Sequence, residues 1–145
     1  MEVMTAREYL RQLPRINHHI EILTEEIERR RAALEFTAAP VLGDRVQTSP
    51  GGDRFADAIA ALADKDIQLE ELRYIYGTLR ERMLCQICRL PNTLQADILR
   101  LKYAEEMNLD DIADTLHYSA GYIRQMHTAA LVSFEERFND DMVEI

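Results

Sequence analysis

Arg124 and Gln125 stand side by side in a stretch, Leu109 to Thr128, that reads LDDIADTLHYSAGYIRQMHT. Both side chains are suited to reading bases. A guanidinium can donate a bidentate pair to guanine O6 and N7, and a carboxamide can pair with adenine N6 and N7, each discriminating by about 1 to 3 kcal/mol. Ser119, Tyr122 and Thr128 carry hydroxyls suited to phosphate oxygens, which position a helix on a duplex without carrying sequence information. Ala120 and Gly121 are small enough to permit close approach and contact with a thymine methyl.

These groups work together only if the local helices hold them on one face. Asn108 can cap a helix of about eight residues with Asp111 at its third position, and Ser119 can cap the next one after a turn at His117 and Tyr118. Helices joined this tightly cross steeply and need a small residue where they touch, which Ala113 supplies. Ile112, Leu116, Tyr118, Ile123 and Met126 fall at the positions a helix-turn-helix buries. Ser119, Ala120, Gly121, Arg124, Gln125 and Thr128 then fall on the opposite face of the second helix, the one a major groove sees. Upstream, after Pro91, Asn92 and Gln95 offer another cap, with Ile98, Leu99 and Leu101 in a short helix to about Ala104.

Two long helices precede this module. Steps of three and four give Ala6, Tyr9, Leu13, Ile16, Ile20, Leu23, Ile27, Arg30 and Leu34, a heptad seam interrupted by Arg30. Thr5 and Glu8 have the form of a capping box. Pro14 lies at an outward position and either kinks the helix or marks the start of its main part. The segment at about 37–53, TAAPVLGDRVQTSPGGD, reads as a loop. The stepping resumes at Phe55, Ala58, Leu62, Lys65, Leu69, Leu72, Tyr76, Leu79, Met83, Gln86 and Leu90. At roughly 45 and 55 Å the two helices match well enough to pair. The fold class expected is all-α: a long antiparallel, coiled-coil-like hairpin over residues 1–90, then a small helix-turn-helix domain over 91–145 with an acidic tail, NDDMVEI, that frays. The seam residues Leu13, Ile16, Ile20, Leu23, Ile27, Leu62, Leu69, Leu72 and Leu79 serve a hairpin, a homodimer, or both.

The run ILRLKYAEEMNLDDIADTLHYSAGYIRQMHTAAL resembles the C-terminal helix-turn-helix of bacterial sigma factors, and more closely the small phage regulators of late-gene transcription of the ArpU and RinA type. The resemblance implies that Ser119 to Thr128 is the recognition helix, that Ile112 and Ala113 form the helix-packing pair, and that Ala130 and Leu131 close the core. It also implies promoter DNA and RNA polymerase as partners. His117 stands where such motifs commonly carry Gly, at a position that often needs positive φ.

The charge balance opposes this reading. Among 145 residues, 17 Lys and Arg face 26 Asp and Glu, for a net charge of −9. Within residues 90–145, Arg100, Lys102, Arg124 and Arg137 face eleven acids. Few cations displace few counterions, so a lone module binds DNA weakly, and useful affinity needs a dimer or a partner already on the duplex. The leading reading is therefore a sigma-like transcription regulator working on promoter DNA with RNA polymerase or as a dimer. The rival is an acidic protein-binding module that docks on polymerase or mimics DNA and does not itself bind a duplex.

Other chemistry finds little support. Cys85 and Cys88 lie late in a helix, where the dipole disfavours a thiolate, and zinc would need two further ligands. His18 and His19 lie off the seam, and no paired carboxylates, phosphate loop or nucleophile motif is present. The expectation is no enzyme, catalytic residue, metal or cofactor. No apolar run reaches the roughly 18 residues of a membrane span, and the first residues lack the pattern of a signal peptide, so a cytoplasmic location is expected.

Overall fold

The structure is a computed structural model that describes residues 3–38 and 51–145, and every regular element among them is helical. In chain order these are α1 (Ala6–Ala38), α2 (Gly51–Cys88), α3 (Thr93–Leu99), a π-helical segment (Arg100–Ala104), α4 (Leu109–Leu116), α5 (Ala120–Phe138) and a 3-10 turn (Asn139–Asp141). Most of the loop expected at about 37–53 lies outside the described residues. At its edges α1 extends to Ala38 and α2 begins at Gly51, so both helices run further than their seams indicated.

α1 starts on the capping box. The Thr5 hydroxyl accepts from Glu8 N at 3.2 Å and the Glu8 carboxylate accepts from Thr5 N at 2.8 Å, which satisfies two otherwise free backbone donors. Those bonds hold the Glu8 carboxyl below its ordinary value. Pro14 lies well inside α1, so of the two alternatives at that residue the helix does not begin there.

The chain packs as two compact units, and α1 and α2 contribute to both. One unit combines the chain up to Asn17 with Tyr76–Ile145; the other is His18–Ile75. The expected boundary followed helix order at residue 90, whereas contacts divide the chain within the long helices.

In His18–Ile75 the helices pair antiparallel around Leu23, Ile27 and Leu69, with Ile20, Leu62 and Leu72 packed at the edge. Arg31 on the last part of α1 grips Asp66 on the first part of α2 at 2.8 Å, and Lys65 reaches Glu26 at 3.4 Å. Arg30, which breaks the seam, turns outward to Glu26. The seam fades at its far end, where Phe55 is 41% exposed and Ala58 is exposed as well.

The other unit holds the main core. Ala6, Tyr9, Leu10 and Leu13 of α1 meet Leu79, Met83 and Ile87 of α2, with Ile16 at the edge. Leu10 lies off the three-four seam and is nonetheless fully buried in this core. From α5 come Ala130, Leu131, Phe134 and Phe138, and Phe134 stacks on Tyr9 at 5.9 Å between ring centres while meeting Phe138 at 4.8 Å. The seam glutamine Gln86 is buried without penalty because its side-chain oxygen accepts from the Tyr9 hydroxyl at 2.8 Å.

The tail departs from the expectation that it frays. Gln12 donates to Val143 O at 2.9 Å and accepts from Ile145 N at 2.7 Å, while Arg82 donates to Asp141 O at 3.0 Å. A buried amide on α1 needs partners, and the tail backbone supplies them.

Because Phe134 is fully buried between two rings, Phe134→Ala should lower unfolding stability by about 3 to 5 kcal/mol. Urea denaturation followed by circular dichroism measures this; a loss under 1 kcal/mol would show that α5 is not held as described.

Candidate nucleic-acid interface

Three side-chain caps set the starts of the short helices. Asn92 Oδ1 accepts from Gln95 N at 3.1 Å, Asn108 Oδ1 from Asp111 N at 2.8 Å, and Ser119 Oγ from Tyr122 N at 3.2 Å. The expected cap residues occupy all three positions. The helix after Pro91 does reach Ala104, but its last turn is π-helical, with Glu105 N bonded to Arg100 O at 3.1 Å.

Both ends of α4 turn on left-handed residues that are not glycine. Glu106 has φ 56° and lets Met107 N reach Leu101 O at 3.0 Å. His117 has φ 62° and ψ 44°, and Tyr118 N then reaches Ala113 O at 3.0 Å, closing α4. The position where related motifs place Gly thus does need positive φ, and here histidine adopts it.

α4 and α5 cross over a small core. Ile112, Ala113 and Ile123 are buried with Ile98 and Leu101, and Leu116, Met126 and Ala120 pack at the edge. Tyr118 departs from this pattern. It was expected inside, yet it is 47% exposed and lies against Tyr122, ring centres 5.3 Å apart. The left-handed turn at His117 redirects the chain before Tyr118, which leaves the core to Ile112 and Ile123.

On the outer side of α5, Ser119, Gly121, Tyr122, Arg124, Gln125 and Thr128 are all exposed, while Ala120 is half-buried. Three of these side chains have local partners. The Ser119 hydroxyl accepts in its cap, the Thr128 hydroxyl donates to Arg124 O at 3.1 Å, and Arg124 donates to Asp110 on α4 at 3.1 Å. With both ends of that ion pair more than half exposed, it holds the guanidinium weakly. Cys85 and Cys88 are free and exposed at the end of α2, away from these residues in sequence.

Behind the outer face lies a polar contact that spacing alone did not reveal. His127 is buried on the inner side of α5, and its Nε2 lies 3.0 Å from the Tyr103 hydroxyl. Burial, with Lys102, Arg7 and Arg11 nearby, pushes the His127 imidazole down to about 4. Its signal in the sequence was the continuation of the buried series Ile123, His127, Ala130 and Phe134 along α5.

The geometry defines a helix-turn-helix with its second helix exposed along one side. A family model described as Sigma-70, region 4 matches residues 92–133, which spans the Asn92 cap, α3, the π-helical segment, α4 and most of α5. This part of the chain is a sigma-like helix-turn-helix region, a type associated with DNA binding. No curated protein and no solved structure matches the chain. No described helix is long and apolar enough to cross a membrane.

Folded His127 stays neutral down to about pH 4, whereas in the unfolded chain it gains a proton near the ordinary histidine value of 6.5. Unfolding therefore takes up a proton between those values, so this histidine's contribution to stability is complete above pH 6.5 and is lost as pH falls towards 4. Melting temperatures across that window should fall more steeply for the natural chain than for His127→Gln. Replacing the strained residue should act in the opposite sense: His117→Gly is expected to gain up to about 1 kcal/mol by urea denaturation, since glycine takes φ near 60° without steric cost.

Proposed function

We propose that this protein is a transcription regulator that binds promoter DNA through α5, with Arg124 and Gln125 reading bases and Ser119, Tyr122 and Thr128 meeting phosphates. The observation that carries this reading is the exposure of Arg124 and Gln125 on the second helix of a segment that matches sigma-70 region 4. Ala120 and Gly121 at the start of that helix keep its approach to the groove unobstructed.

In this reading, which the resemblance to phage late-gene regulators of the ArpU and RinA type supports, the protein acts with RNA polymerase in a bacterial host cytoplasm. Self-association is the second source of affinity. Phe55, Ile59, Ile67 and Tyr74 line α2 in His18–Ile75 and are each at least 41% exposed, an apolar face suited to a second copy. The role is one of binding, with no catalytic residue, metal or cofactor assigned.

A different observation favours the rival. Asp110, Asp111 and Asp114 are all exposed on α4, and Asp110 occupies the base-reading arginine. An acidic face of this kind suits a basic protein groove.

The two readings separate in a gel shift of the full chain on genomic fragments, with and without polymerase. Under the leading reading, Arg124→Ala weakens binding by about 1 to 3 kcal/mol and relaxes preference at one base pair. Asp110→Asn frees the guanidinium and should tighten the same complex. If neither substitution alters any shift, base reading by Arg124 is refuted.

A further inference from the structure

Arg7 and Arg11 sit one turn apart on α1, both exposed, in the same compact unit as the helix-turn-helix. Arg11 lines a hollow of about 340 Å³ together with Lys102, Tyr103, Met107 and Asn108. Asn108 is the residue that caps α4, and two residues further on Asp110 holds Arg124. The hollow therefore adjoins the first turn of α4, the same turn that reaches the base-reading arginine.

What marks this hollow is that, among the described residues, cations free of ion pairs meet at it, whereas many of the chain's other arginines are paired. Arg30, Arg31, Arg73, Arg80, Arg100 and Arg124 each lie within 4.0 Å of a carboxylate. Among the described residues, no carboxylate comes that close to Arg7, Arg11 or Lys102. Glu106 also lines the hollow, but its carboxylate accepts from Asn17 Nδ2 at 2.6 Å. In a chain of net charge −9, Arg11 and Lys102 thus share a hollow in which the lining carboxylate of Glu106 pairs with neither. Burial first, and then Arg11 and Arg7, hold the Lys102 ammonium below its ordinary value. A phosphodiester entering the hollow would relieve that repulsion and add charge-assisted hydrogen bonds.

We infer that Arg7 and Arg11, on the first turns of α1, bind backbone phosphates of the duplex whose bases α5 reads, so that the first long helix is part of the DNA interface. The inference rests on the proposed reading of α5. It assigns to α1 a task beyond packing, and it places phosphate-binding charge outside the segment that matches sigma-70 region 4.

The test is fluorescence anisotropy of the full chain on a labelled 30-base-pair duplex, titrated from 50 to 200 mM salt. Each phosphate contact contributes about 0.9 to the slope of log affinity against log salt. Arg7→Gln with Arg11→Gln should therefore reduce that slope by between one and two and weaken binding about equally on every sequence tried. Arg7→Lys with Arg11→Lys should keep the slope, and circular dichroism of both variants should match the natural chain. An unchanged slope in the glutamine variant overturns the assignment of α1. If in that case Arg124→Ala still alters sequence preference, the reading of α5 stands and only this inference fails. A natural chain that binds no duplex at 50 mM salt overturns both.

Discussion

The position of α5 depends on the burial of Phe134 against Tyr9 and Phe138. The first half of α5 packs Ile123 onto Ile112 and Ala113, while its second half carries Ala130, Leu131 and Phe134 into the core built by α1 and α2. A helix held at two points along its length cannot roll, so its outer side is defined by what its inner side buries. Exposure of Arg124 and Gln125 follows from this constraint: both lie away from the stripe that runs through Ile123, His127, Ala130 and Phe134. The helix-turn-helix is thus packed onto the ends of the long helices within one compact unit.

The same packing changes the electrostatic account. Counted along the sequence, the last third of the chain is strongly acidic and poorly suited to a polyanion. Counted by compact unit, it gains Arg7, Arg11 and Arg15 from the first segment, Arg80 and Arg82 from α2 and Arg89 just after it, against Glu2, Glu8 and Glu81, so its acidic excess is smaller. Charge acts through space with a screening length of about 8 to 10 Å at physiological salt, so neighbours in the fold matter more than neighbours in the chain. The acids of α4 remain, and the ion pair between Asp110 and Arg124 places one of them in direct competition with any base for the guanidinium. Both proposed roles of the acidic face turn on this competition, since an aspartate that restrains a reading arginine is also an exposed charge available to another protein.

α4 is short and bounded by two residues in left-handed backbone, Glu106 and His117, at a cost of roughly 1 to 2 kcal/mol each. The π-helical turn before Glu106 is a further departure from regular helix. Such local costs persist only where surrounding contacts determine them. Here the caps at Asn108 and Ser119 and the burial of Ile112 and Ile123 supply those contacts, and together they fix the crossing that points α5 outward.

Features governed by neighbours in the chain were legible without coordinates. The capping box at Thr5 and Glu8, the caps at Asn92, Asn108 and Ser119, the long helices and the burial of Ile112 and Ile123 follow from short-range hydrogen bonding and apolar spacing, while the positive φ at His117 was implied by the resemblance to motifs that carry Gly there. Periodicity could not say which of two apolar stripes a second partner covers, and so it missed Leu10 and misplaced Tyr118. The contacts of Gln12 with Val143 and Ile145, of Tyr103 with His127, and the meeting of Arg11 with Lys102 join residues far apart in sequence. No local pattern encodes such meetings, because they depend on where α5 and the tail come to rest on α1, and only the packed core decides that.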